Sequence, residues 1–105
     1  MYAIHFFCLH QKGFKHLGNG LFESSHWNLT DKMADELIGG FIFLHEKQTA
    51  PPWHGGRIKG WRPADDNPKR KVIEYSVEGN FRKAVCRTGW GREQARQVMP
   101  DDWTP

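Results

Sequence analysis

Residues 27–46, WNLTDKMADELIGGFIFLHE, decide how this chain folds. Thr30 is placed to cap a helix, because its hydroxyl can accept from the free amide groups of a first turn. Asp31 follows with a negative charge at the positive end of the helix dipole. Leu29 and Ala34 have the spacing of a hydrophobic staple, and Met33, Leu37 and Ile38 form an inward stripe. Gly39-Gly40 ends the helix, since glycine accepts the left-handed conformation that closes it. Phe41 to Glu46 is then too short and too apolar for anything but a buried strand.

Working outward, Tyr2 to Leu9 (YAIHFFCL) is apolar on both faces and predicts a central strand. Residues 10–20 hold three glycines among polar residues and predict an exposed loop. On the other side, the prolines and glycines of KQTAPPWHGG exclude regular structure. Arg57 to Arg62 (RIKGWR) alternates polar and apolar, as a half-buried strand paired with the preceding one would. After the polar turn 63–70, Lys71 to Glu78 is a fourth strand and Phe81 to Arg87 a fifth. Arg92 to Met99 is expected to be a short helix stopped by Pro100, and residues 97–105 close the chain in a loose tail. The sum is one α+β domain over residues 1–105: about five strands and two short helices, in a small mixed or antiparallel sheet curled towards an open barrel.

The 105 residues include five Trp, seven Phe and two Tyr, with 38% hydrophobic and 26% charged residues. That composition excludes disordered, collagen-like and coiled-coil classes. No apolar run approaches the roughly 20 residues that span a bilayer, so no membrane partner is expected. The apolar start lacks the basic leader and cleavage site of a secretion signal. Cys8 and Cys86 lie far apart in apolar segments, so they read as reduced, buried thiols of a cytoplasmic protein. The net charge of +3 conceals an asymmetry: residues 57–96 alone carry +6. A basic half suits an anionic partner.

Three groups of residues are candidates for function. The first is aromatic and basic: Trp27, Trp53 and Trp90 fall at loops and element ends, where they can stack on bases. Lys47, His54 and Arg57 are placed to contact a base edge or phosphate, and Lys59, Arg62, Lys69, Arg70 and Lys71 to form an electrostatic track. The bland alternative is ordinary aromatic packing on a solvated, mixed-charge surface. The second group is catalytic: His45, Lys47 and Glu74 would have to converge for a small ribonuclease or amide hydrolase. Ser24-Ser25-His26 is local in sequence, with no third member in view. The third group is the six histidines, none with HxxxH or HExxH spacing, so no metal is expected. The glycine pairs make neither a P-loop nor a dinucleotide fingerprint, and no cofactor is expected.

The order WNLTDKMADEL, then GGFIFLH, then GGRIKGW over residues 27–61 resembles the PUA-like superfamily, in particular its EVE and ASCH branches. The ASCH-type GxKxxExR motif is absent, since GRIKGWR lacks the Glu. The resemblance implies a small barrel that binds RNA or DNA, in which a modified or extruded base occupies a pocket beside the helix and second strand. Trp27, Trp53 and His54 are the residues it would assign to that pocket. A protein-interaction module using exposed aromatics is the other expectation.

Overall fold

A computed structural model describes residues 1–86 and 89–105. Its frame is a seven-stranded sheet in the order β2-β3-β6-β5-β4-β1-β7. The strands are β1 (Tyr2–Phe7), β2 (Lys15–Gly18), β3 (Leu21–Asn28), β4 (Phe41–His45), β5 (His54–Pro63), β6 (Arg70–Ser76) and β7 (Gln94–Val98). Among the described residues one helix, α1 (Asp31–Leu37), and two 3-10 turns, Leu9–Gln11 and Phe81–Lys83, complete it. β1 runs parallel to β4 and antiparallel to β7; the remaining neighbours are antiparallel.

The helix forms as its sequence requires. Thr30 Oγ1 accepts from Met33 N at 3.1 Å, and Gly39 takes a φ of +84° just past the end. Ala34 and Leu37 face the sheet, but Ile38 does not. Its backbone is already extended, so its side chain leaves the helical stripe and stays exposed.

β1 and β4 are buried on both faces, as continuous apolar runs in the middle of a sheet should be. Ile4, Phe6, Ile42 and Leu44 join Ile58, Ile73, Tyr75, Trp27 and Leu37 in the main core on the helix side. Ala3, Phe41 and Phe43 face the other way, under Ala84, Phe81, Met99 and Trp103. Closing this double-faced sheet demands a close approach of β5 and β6: a Cβ on Gly56 would collide with the carbonyl of Ser76.

Several sequence expectations are corrected. The expected α+β class and mixed sheet hold, and the sheet is open, with β2 and β7 as its two edges. It has seven strands among the described residues, because the glycine-rich segment contributes β2 and the polar run before the helix contributes β3. In β3 polar residues are tolerated because only Glu23, Ser24 and Trp27 are fully buried. Phe81–Lys83 is a 3-10 turn and not a strand; Asn80 Oδ1 caps it by accepting from Arg82 N at 3.2 Å. The end of that expected strand, residue 87, lies outside the described residues. The expected helix over 92–99 is β7, whose pairing with β1 overrides its helical pattern and buries Ala95 beside His5. The strand expected at 57–62 starts earlier, at His54. The tail is docked: Trp103 packs edge-on against Phe41 at 5.3 Å, and Pro105 O accepts from Asn80 N at 3.0 Å. Cys8 and Cys86 are both buried, as expected. No helix among the described residues is long and apolar enough to cross a membrane.

Candidate functional site

A cavity of about 690 Å³ opens where β1 ends, between β3 and the turn that leads into β6. One wall is apolar, from Phe7, Cys8, Leu9 and Trp27. The rest of its lining is polar, from Lys12, Gly13, Ser25, His26, Asp66, Asn67, Arg70 and Glu93. Its size falls within the range usual for small-molecule sites, and so does its mixture of apolar wall and few polar groups.

Trp27 is built into this wall rather than hung over it. One indole face stacks on Phe6 with ring centres 3.9 Å apart, and Nε1 donates to Ser24 Oγ at 2.9 Å. Only 6% of the residue is exposed, so it offers a rigid wall and not an open platform.

The polar wall depends on an irregularity in β3. The β3–β6 register shifts between Ser24 and Trp27, and such a bulge re-aims side chains. Here the consecutive residues Ser25 and His26 both line the cavity. Gly13, at a φ of +75°, lies so close that a Cβ there would collide with the Ser25 carbonyl. His26 Nδ1 is 3.0 Å from Ser25 Oγ, and His26 Nε2 is 2.6 Å from Asp66 Oδ1. Asp66 is presented by a turn pinned by hydrogen bonds from Ala64 N to Arg70 O and from Arg70 N to Asn67 O. The hydrogen bond from His26 holds the Asp66 carboxyl below its ordinary range, so it is ionised at neutral pH.

A second, smaller cavity of about 330 Å³ shares Arg70 and Glu93 with the first and adds Arg92. Glu93 Oε1 sits 3.8 Å from Arg70 and has no hydrogen-bond partner among the described residues.

The structure scatters the predicted stacking residues. Trp27 lines the cavity. Trp53 packs at the edge of the main core, edge-on to Phe14 at 5.1 Å, with Nε1 donating to Cys8 O at 3.2 Å. Trp90 lies on the opposite face of the sheet, edge-on to His45 at 5.3 Å. His54 is not in a pocket with Trp27 but in a ring cluster with Phe14, Phe22 and Tyr75, its Nδ1 2.8 Å from the Tyr75 hydroxyl. Burial and then the nearby His16 lower its pKa.

The predicted basic residues divide by partner. Arg57 makes two contacts to Glu78, at 2.8 and 3.1 Å, donates to Gly39 O, and lies 4.4 Å over the Phe41 ring. Arg62 pairs with buried Glu23 at 2.9 Å. Lys71 is buried between Asp31, at 3.0 Å, and the Trp61 ring. These three serve the fold. Lys47, Lys59 and Lys69 are exposed, and Arg70 lines both cavities. The alternative catalytic set is not assembled, for His45 is buried against His5 while Glu74 lies on β6 opposite Glu23.

That His5–His45 contact is a second titratable cluster, sealed under Trp90. His45 Nδ1–H donates to Ala50 O at 2.9 Å, which leaves His45 Nε2 to accept from His5 Nδ1–H at 2.8 Å. His5 Nε2 then lies 3.0 Å from the Gln97 amide oxygen, and a neutral His5 is satisfied there when the amide presents its N–H. Burial lowers the pKa of both, that of His5 to about 4. No group of three or more metal-ligating side chains occurs among the described residues.

Sequence reasoning missed the polar wall because its halves are 40 positions apart. The Ser25-His26 dipeptide is visible in the sequence, but nothing there marks Asp66 as its neighbour. No family model, curated protein or solved structure matches this chain.

Proposed function

We propose that this chain binds nucleic acid by taking a single unstacked or extruded base into the 690 Å³ cavity. The observation that carries this reading is the meeting of a rigid indole with hydrogen-bonding groups in one cavity: Trp27 together with Asn67, Asp66 and His26. A flipped base needs an apolar slot for its faces and hydrogen-bonding groups for its edge. The lining charges balance, Lys12 and Arg70 against Asp66 and Glu93, which suits a neutral base inside and leaves the phosphates at the rim.

The rim cations in this reading are Lys12, Lys69, Arg70 and Arg92. Arg57, Arg62 and Lys71 are set aside because each is held by a carboxylate at 3.0 Å or less, whereas Arg70 lies 3.8 Å from Glu93 without a hydrogen bond to its Oε1. Modified bases belong to the same reading, since a cavity of this size accommodates an added methyl group.

A salt titration of binding to single-stranded RNA, single-stranded DNA and duplexes with and without modified bases tests it. Arg70→Ala should weaken binding and reduce the salt slope by about one. A flat response across all of these nucleic acids would refute the reading.

A further inference from the structure

We infer that Ser25 is a nucleophile, served by His26 as base and positioned through Asp66, and that the cavity hydrolyses small carboxylic esters. The activity shares the cavity proposed for the base but rests on a different observation, the hydrogen-bonded chain in its lining.

Three observations carry it. The first is connectivity. Ser25 Oγ, His26 Nδ1, His26 Nε2 and Asp66 Oδ1 lie in sequence at 3.0 and 2.6 Å, the nucleophile–base–orienter order that activates a serine. The second is that the long-range half of this chain does not follow from Ser25 and His26 being neighbours. A pinned turn 40 positions away delivers the carboxylate. With Asp66 ionised, Nε2 carries the proton it donates, and Nδ1 keeps a lone pair for the Ser25 hydroxyl at 3.0 Å, closer than that hydroxyl's other acceptor, Gly13 O at 3.5 Å. The third is location. All three residues line one cavity, with an apolar wall for an acyl chain and with Asn67, Lys12 and Arg70 as donors for a developing oxyanion.

The chemistry balances with water as co-reactant. Ser25 Oγ attacks the ester carbonyl while its proton passes to His26 Nδ1. The carbon–oxygen bond to the alcohol breaks, and the departing alkoxide takes that proton. Water then attacks the acyl-serine, gives its proton to His26, and releases the carboxylic acid; the proton returns to Ser25. Asp66 touches no reacting atom and acts as a positioning residue.

The test is labelling of the intact protein with a fluorophosphonate, read by whole-protein mass and peptide mapping, beside hydrolysis of p-nitrophenyl butyrate. The expected result is one adduct, on Ser25, and saturable turnover, both absent in Ser25→Ala. His26→Gln should slow labelling on the order of 100-fold. Asp66→Asn should slow it about tenfold, with recovery in Asp66→Glu. Circular dichroism confirms that each variant is folded. No adduct, an adduct elsewhere, or equal labelling of Ser25→Ala overturns the assignment of the nucleophile. Labelling at Ser25 without ester turnover overturns the hydrolysis. Neither failure would alter base binding followed at Trp27, so the two proposals fail separately.

Discussion

Two histidine sites sit on one sheet and do opposite things. His5 and His45 lie in the neighbouring interior strands β1 and β4, 1% and 0% exposed, and every ring nitrogen has a partner fixed by its neighbours. His26 lies on a bulged strand at a cavity mouth, with its side chain 43% exposed and a carboxylate brought to it from a distant turn. The first site is neutral because burial forbids charge; the second is wet and carries an ionised partner. A histidine in an apolar run is therefore evidence about packing here, while a histidine in a polar, irregular run marks the cavity.

The contrast breaks most readily in the sealed site. His45→Ala removes core volume and leaves His5 Nδ1 without an acceptor, so unfolding free energy from urea denaturation should fall by about 2–4 kcal/mol. His26→Ala should change it by less than about 0.5 kcal/mol, as surface substitutions usually do. Equal losses at the two sites would erase the distinction.

Acid sharpens the same contrast. A histidine whose pKa is lowered by folding stabilises the protein above its unfolded pKa of about 6.5, and that stabilisation is lost as pH falls towards the folded value. For His5 the folded value is about 4, so stability should decline between pH 6.5 and 4. The loss is on the order of 3 kcal/mol. Replacing both His5 and His45 with leucine should flatten this slope in denaturation curves recorded at several pH values. An unchanged slope would mean that the pair is not held neutral.

Smaller effects separate rim cations from fold cations. Arg70→Ala should cost roughly one phosphate contact in nucleic-acid binding and lower the salt slope by about one, with little change in stability. Arg57→Ala should leave the salt slope alone and cost about 1 kcal/mol or less of stability, the usual worth of a partly exposed pair. A salt slope that responds to Arg57 and not to Arg70 would move the interface to the other end of the sheet.

Much of the frame is legible in the sequence for simple reasons. Thr30, Gly39 and the run FIFLH set local structure by capping, by left-handed backbone and by burial, none of which needs a distant partner. The edges were not legible. Gln94–Val98 has a helical pattern, and only the open side of β1 turns it into a strand. Lys15–Gly18 looks like a loop because an edge strand can be short and polar. The cavity was half legible: Trp27 and Arg70 stand out, but the Ser25–His26–Asp66 chain depends on a bulge and a turn that meet only in the fold. Counting Trp residues missed that Trp53 and Trp90 are fastened to backbone carbonyls at other places.

Those five indoles supply the most direct test. Each Nε1–H gives its own amide-region signal in a nitrogen-correlated NMR spectrum, and the five lie in five different surroundings. Titration with a short single-stranded oligonucleotide should shift the Trp27 signal first and furthest, leaving those of Trp53, Trp90 and Trp103 nearly fixed. Shifts confined to Trp53 or Trp90, with Trp27 unmoved at saturation, would contradict the placement of the base in this cavity.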